Sequence, residues 1–232
     1  MSVIPRGIIV SAQAKAGNPF KNSERLSYMA QAAELGGAVA IRADGVADIT
    51  AMRERVTLPI IGINKKVDET GRVVITPDFE SAKEVADAGA SIIALDATFC
   101  ESNIRADVEK TVKAIQEQLG LPVMADVSTL EEAVRASEYG VDLVSTTLAG
   151  YIPGELHSED ELYTPNLGLL KSMIDSPHVK CPVIGEGRFW RIEDVREAFR
   201  LGAHALVIGK AITNPMAATA YYVNCGFKLS DK

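Results

Sequence analysis

Short β-branched apolar runs alternate with longer amphipathic ones along this chain, and no other feature restricts its fold as much. The short runs predict strands near residues 7–10, 38–42, 59–63, 91–96, 122–126, 142–146, 182–186 and 204–208. Between them a helical period predicts helices over 24–35, 48–55, 79–88, 104–119, 130–139, 166–175 and 193–201. Strands separated by helices run parallel and are joined by right-handed crossovers. Eight such units in 232 residues predict an α/β protein, a single (β/α)8 barrel over residues 1–232. At the joints Gly36-Gly37, Gly89, Gly140 and Gly202, glycine stands just past a helix, where a left-handed cap costs least. Those joints belong to the stability face, and the chemistry belongs at the opposite, C-terminal ends of the strands.

Six of the apolar runs end there in a polar group: Gln13, Arg42, the pair Lys65-Lys66, Asp96, Asp126 and Glu186. Thr146 and Thr147 follow the sixth strand. One polar residue where a strand leaves the core needs no functional explanation, but six around one mouth describe a site. Side chains alternate along a strand, so Lys65 and Lys66 cannot both face inward, and periodicity does not choose between them. Burial and the nearby charge of Arg42 would both lower the pKa of the inward lysine. That lysine could then act as a general base or form a Schiff base. The competing reading is a salt bridge to Asp96 or Asp126 that keeps it charged and unreactive.

A second signal is an anion site. Gly185-Glu186-Gly187-Arg188 follows the seventh strand and Gly209-Lys210-Ala211-Ile212-Thr213 the eighth. These are the loops that hold phosphate in barrels of this kind, where glycine lets backbone N–H groups approach the anion. The irregular stretch 150–164, after the sixth strand, is expected to cover the mouth as a loop or lid.

Composition narrows the function classes. A net charge of −7 argues against a nucleic-acid partner. The 3 cysteines, Cys100, Cys181 and Cys225, form no CxxC pair, so neither a disulfide framework nor a zinc site is expected. The first residues, with Pro5 and Arg6, lack the apolar core of a signal peptide. No apolar run approaches the roughly 20 residues of a membrane span, and a cytoplasmic location is expected.

Seven blocks of this chain resemble N-acetylmannosamine-6-phosphate 2-epimerases, enzymes of bacterial sialic acid catabolism. They are Gly7-Ile8-Ile9-Val10-Ser11-Ala12-Gln13-Ala14, Ala40-Ile41-Arg42-Ala43, Ile61-Gly62-Ile63-Asn64-Lys65-Lys66, Ile93-Ala94-Leu95-Asp96-Ala97-Thr98, Met124-Ala125-Asp126-Val127-Ser128-Thr129, Ser145-Thr146-Thr147-Leu148-Ala149-Gly150-Tyr151 and Gly185-Glu186-Gly187-Arg188. The resemblance implies a (β/α)8 barrel that forms a homodimer, needs no cofactor or metal, and acts on an amino-sugar phosphate. It implies that Lys65 and Glu186 are catalytic. It also implies that Gln13, Arg42, Asp126 and Thr147 bind substrate, and that Gly187, Arg188, Gly209 and Lys210 hold its phosphate. Lys66 is then a neighbour whose charge helps keep the Lys65 pKa low. Two positions depart from the family pattern: Lys210 stands where a second glycine is usual, and Asn214 where an arginine is usual.

The implied reaction opens the sugar ring and exchanges the C2 proton beside the C1 aldehyde, with Lys65 as base and Glu186 assisting ring opening and donating to the enolate oxygen. Inversion needs proton delivery to either face, so a second acid, a substrate hydroxyl or a rotated intermediate must contribute. Two other readings compete: a lyase or aldolase that forms a Schiff base on Lys65, and a non-catalytic sugar-phosphate sensor that needs neither Lys65 nor Glu186.

Overall fold

A computed structural model describes residues 3–151 and 163–227, with side chains as far as residue 224. The expected cover over 150–164 therefore lies mostly outside the described residues. Eight parallel strands close into a barrel: β1 (Gly7–Ser11), β2 (Ala40–Asp44), β3 (Ile60–Ile63), β6 (Ile92–Asp96), β7 (Val123–Asp126), β8 (Leu143–Ser145), β9 (Val183–Glu186) and β10 (Ala205–Ile208). Their order around the barrel is β1-β10-β9-β8-β7-β6-β3-β2. Helices α1 (Ser23–Leu35), α2 (Val46–Arg53), α3 (Phe79–Asp87), α4 (Val108–Ala114), α5 (Leu130–Glu138), α6 (Leu167–Asp175) and α7 (Ile192–Leu201) lie between them, and α8 (Lys210–Thr213) and α9 (Pro215–Phe227) end the chain.

The core has two layers, set by the two-residue alternation of each strand. Ile9, Ala40, Ile61, Ile63, Ile92, Ala94, Met124, Leu143, Ile184, Ala205 and Val207 fill the barrel interior, and Ile4 lies among them. The alternate residues, such as Ile41, Ile60, Ile93, Val123 and Leu206, pack outward under the helices. Gly62 is one of these outward positions, where a Cβ would stand 2.6 Å from the Ala90 Cβ in the joint before β6 and 3.4 Å from the Val85 Cβ of α3. The expected glycine joints all take positive φ, at Gly37, Gly89, Gly140 and Gly202.

Interior parity also places the site. Arg42 and Asp44 continue the inward face begun by Ala40, and Asp96 continues that of Ala94. Asp126 continues Met124, Ser145 continues Leu143, and Glu186 continues Ile184. Register sets these groups at one height: Ser11 opposite Arg42, Asp96 opposite Asp126, and Asp126 opposite Ser145.

Two elements differ from expectation. The helix expected over 104–119 begins only at Val108, where the Asp107 side chain caps it, and its last turn widens to a π-helix over Ile115–Leu119. Lys65 and Lys66 do not end β3. They open β4 (Lys65–Val67), which pairs antiparallel with β5 (Val73–Ile75) as a hairpin standing above the barrel. The polar turn 68–72 and the β-branched run that follows were the hairpin signal, which a search for barrel strands passes over. The hairpin closes on Thr76, whose backbone N–H donates to Asn64 O at 2.9 Å while its hydroxyl accepts from Asn64 N at 3.0 Å. Thr76 has φ 47, a conformation β-branched residues rarely adopt.

Candidate active site

Arg42 is the centre of the barrel mouth. Its side chain is 1% exposed, and two carboxylates surround it. Asp126, fully buried, accepts from Nη1 at 3.0 Å and from Nη2 at 2.5 Å, a bidentate pair. Glu186 Oε2 lies 3.1 Å from Nη1. Burial disfavours the charge on Arg42, but Asp126 and Glu186 outweigh it, so its pKa is raised and it stays a cation. For Glu186, burial is the main influence and the Asp126 charge adds to it. Together they outweigh the attraction of Arg42, so the Glu186 pKa lies above the usual carboxyl range.

Thr147 bridges the two acids. Its hydroxyl oxygen lies 2.6 Å from Asp126 Oδ1, 2.9 Å from Glu186 Oε2 and 2.9 Å from Ser145 Oγ. Thr146 holds the Glu186 backbone on both sides, accepting from its N–H and donating to its carbonyl at 2.9 Å each. Asp126 and Thr147, expected as sugar contacts, thus engage other side chains of the protein.

Lys65 reaches the same mouth from the hairpin. Its Nζ donates to Gln13 Oε1, and Gln13 Nε2 donates in turn to Ser11 Oγ at 2.9 Å. Asp44 grips Lys65 twice, accepting from the backbone N–H at 3.1 Å and standing 3.4 Å from Nζ. The salt bridge that competes with a reactive lysine is therefore made by Asp44, not by Asp96 or Asp126. Burial lowers the Lys65 pKa and the Arg42 charge adds to this, while Asp44 opposes both; the net direction is down. Lys66 faces away and sits 3.5 Å from Glu84. The cation that depresses Lys65 is Arg42, not Lys66.

Asp96, the remaining strand-end carboxylate, is held by two arginines outside the expected set. Arg72 Nη2 donates to Asp96 Oδ2 at 2.6 Å and to Thr98 Oγ1 at 3.0 Å. Arg105 Nη1 donates to Asp96 Oδ1 at 3.1 Å and to the Thr98 carbonyl at 2.6 Å. Arg72 sits in the hairpin turn, so this cluster fastens the arm that carries Lys65 to the end of β6. Asp68 adds a second fastening, accepting from Thr70, Arg72 N and Ser102 Oγ.

The expected phosphate residues divide. Gly187 has φ 107 and open space where a side chain would be. Gly209 packs against β1, where a Cβ would meet the Ser11 Cβ at 3.3 Å. Lys210 opens α8, and burial together with the charge of Lys15 lowers its pKa. Arg188, at φ 61, turns toward the loop after β8: its Nη2 donates to Ala149 O at 3.1 Å, and the guanidinium lies 5.7 Å from the Tyr151 ring centre. Among the described residues, no group of three or more His, Cys, Asp or Glu gathers to hold a metal, and no helix is long and apolar enough to cross a membrane.

Asp44, Arg72 and Arg105 were the residues missed. Asp44 was within reach of sequence reasoning, being two residues beyond Arg42 on the same inward face. Arg72 was not, because its partner is reached only through the fold.

Comparison with known proteins agrees with this fold. A sequence profile described as N-acetylmannosamine-6-phosphate epimerase matches residues 26–226. A protein of Caldanaerobacter subterraneus, provisionally named N-acetylmannosamine-6-phosphate 2-epimerase, is 41% identical over 221 residues, covering 95% of this chain and 91% of the relative. A Cutibacterium acnes protein of the same provisional name is 38% identical over 216 residues, covering 93% and 92%. The solved N-acetylmannosamine-6-phosphate 2-epimerase of Clostridium perfringens superposes with a TM-score of 0.87 at 39% identity, covering 94% of this chain and 92% of that one. Thiamine phosphate pyrophosphorylase of Pyrococcus furiosus, at 18% identity and a TM-score of 0.57, shares the fold alone. On the matching profile and these relatives, the chain belongs to the N-acetylmannosamine-6-phosphate epimerase family.

Proposed function

We propose that this protein interconverts N-acetyl-D-mannosamine 6-phosphate and N-acetyl-D-glucosamine 6-phosphate by moving the proton at C2, a step of sialic acid catabolism. The observation that carries the reading is a matched pair: an amine with a lowered pKa and a carboxyl with a raised one flank one buried guanidinium. Both shifts favour the neutral forms that acid–base catalysis near neutral pH needs.

Ring opening comes first, moving the anomeric hydroxyl proton to the ring oxygen as the C1–O5 bond breaks. Lys65, as the free amine, then takes the C2 proton. The C2–H electron pair becomes the C1=C2 double bond, the carbonyl pair moves to O1, and Glu186 gives O1 its proton. The intermediate then turns in the site, the Lys65 ammonium gives a proton to the opposite face of C2, the O1 proton returns to Glu186 as the C1 carbonyl re-forms, and ring closure gives the epimer with both side chains back in their starting forms. Arg42 stabilises charge developing on O1, and being buried it needs no reorganisation to do so. Gln13 accepts a hydrogen bond from the Lys65 amine between cycles and contacts the sugar together with Arg42, while Asp126 and Thr147 support them from below.

The sugar phosphate lies toward Gly187, Gly209 and Lys210, with Lys15 supplying a second cation in place of the family arginine at Asn214. Arg188 ties the Gly187 turn to the loop after β8. The binding energy of the phosphate orients C2 against Lys65. We further propose that residues 1–232 form one domain. A homodimer is proposed through α9, which contains no charged residue and exposes Met216, Tyr222 and Val223. A cytoplasmic location suits a phosphorylated substrate that does not cross membranes unaided.

Proton NMR of either sugar phosphate in deuterated water tests the reaction, since it reports turnover and loss of the C2–H signal together. We expect Lys65→Ala to slow both by 10²-fold or more, on the order of a general-base contribution. C2 exchange at wild-type rate in that variant would refute the assignment.

A further inference from the structure

A hydroxyl has one hydrogen and two lone pairs, and this limits how the Thr147 contacts can be made. Asp126 receives both guanidinium nitrogens of Arg42, one on each oxygen, so both of its oxygens accept. At 2.6 Å, Thr147 must donate its one hydrogen to Asp126 Oδ1, because an acceptor facing an acceptor at that distance would be repulsive. No hydrogen of Thr147 is left for its other two neighbours. Ser145 Oγ, at 2.9 Å, can turn its own hydrogen toward Thr147. Glu186 Oε2, also at 2.9 Å, makes a hydrogen bond only if it brings the proton itself.

We infer that Thr147 is a positioning residue that keeps the proton on Glu186: it donates to Asp126 and accepts from the Glu186 carboxyl. In this arrangement Thr147 makes one donated and two accepted bonds, which fills its capacity. The protonated Oε2 keeps a lone pair toward Arg42 Nη1, 3.1 Å away. Among the described residues, the groups facing the Glu186 carboxyl are Arg42 from β2, Asp126 from β7, Thr147 and Tyr151 beyond β8, and Lys65, whose charge reaches it from β4. The burial and Asp126 field that raise the Glu186 pKa act in the same direction. That Glu186 uses this proton as the acid of the reaction rests on the function proposed above. The location of the proton does not, because it is a property of the free protein.

The test is infrared titration of the unliganded protein. The protonated-carboxyl band of Glu186 is isolated by subtracting the spectrum of Glu186→Gln. If Thr147 is the acceptor, Thr147→Val removes support for the protonated form, and the Glu186 titration moves to lower pH by on the order of half a unit to one unit. Thr147→Ser, which keeps the hydroxyl, restores the wild-type titration. If Val packs poorly, Thr147→Ala carries the same expectation. If Thr147 instead donates to a Glu186 carboxylate, its loss moves the titration to higher pH; that result, or no movement, overturns the inference. Turnover measured separately by NMR tells failure of this inference from failure of the epimerase reading. Absence of turnover in the wild type, with the titration shifts as expected, counts against the reaction alone.

Discussion

Asp126→Asn removes the deepest charge of the mouth while keeping its shape. Asp126 is fully buried and bidentate to Arg42, itself 1% exposed. Removing one partner of such a pair generally costs about 3–5 kcal/mol, because the other charge is left buried without compensation. Here Glu186 Oε2 stands 3.1 Å from the same guanidinium, and the Asp126 charge is one reason its pKa is raised. Without that charge Glu186 ionises more readily and becomes the counter-ion of Arg42. The net loss should therefore be smaller, about 1–3 kcal/mol, or roughly 2–10 °C in melting temperature for a chain of this size. The double variant Asp126→Asn/Glu186→Gln lacks both carboxylates and should show the full loss, leaving a coupling of about 2 kcal/mol. Urea melts of the wild type, both single variants and the double variant measure that coupling at neutral pH. The pH dependence adds a check. In the wild type the folded Glu186 pKa lies above its unfolded value, so the associated stability is full below the unfolded pKa and is lost as pH rises through the folded one. In Asp126→Asn that decline should shrink, since the folded pKa falls. Additivity of the two substitutions within about 0.5 kcal/mol would refute the shared-counter-ion reasoning.

Two further outcomes follow from the same geometry. Arg72→Met frees the hairpin from Asp96, which keeps Arg105 as a partner. We expect about 1–2 kcal/mol of lost stability and a kcat reduced on the order of 10-fold with little change in KM, partly restored by Arg72→Lys; an unchanged kcat would show that the clamp does not position Lys65. Lys15→Met and Lys210→Met should each raise KM for the sugar phosphate about 10-fold and weaken inhibition by inorganic phosphate in parallel, and an unchanged KM removes that lysine from the phosphate end.

The barrel was legible because alternation acts at every strand: inward Ile61 and Ile63 and outward Ile60 and Gly62 leave β3 no other pairing. The polar ring was legible for the same reason, since Arg42, Asp126 and Glu186 are the inward residues where their strands leave the core. The choice between Lys65 and Lys66 was not legible. Both were read as the end of β3, and their facing is set by a hairpin whose register with β5 places Lys65 opposite Ile75. Nor could the roles of Asp96 and Arg72 be read. They are 24 residues apart in sequence, and only the return of the hairpin over β6 brings them together. The four-residue shortening of the 104–119 helix has a local cause, the Asp107 side chain capping Lys110 N, which competed with an amphipathic pattern that continued through the loop.

The hairpin has a consequence for how this protein fails on heating. Lys65 stands just beyond β3 on an appendage of two three-residue strands held by the Lys65–Asp44, Lys66–Glu84 and Arg72–Asp96 ion pairs, while Arg42, Asp126 and Glu186 are built into the closed sheet. β4 is exposed throughout and only Val74 and Ile75 of β5 are buried, and small elements of this kind open at lower free energy than the core that bears them. The base should therefore part from its acid while the barrel is still intact, so that catalysis ceases some degrees below the temperature at which the secondary structure melts and returns at once on cooling.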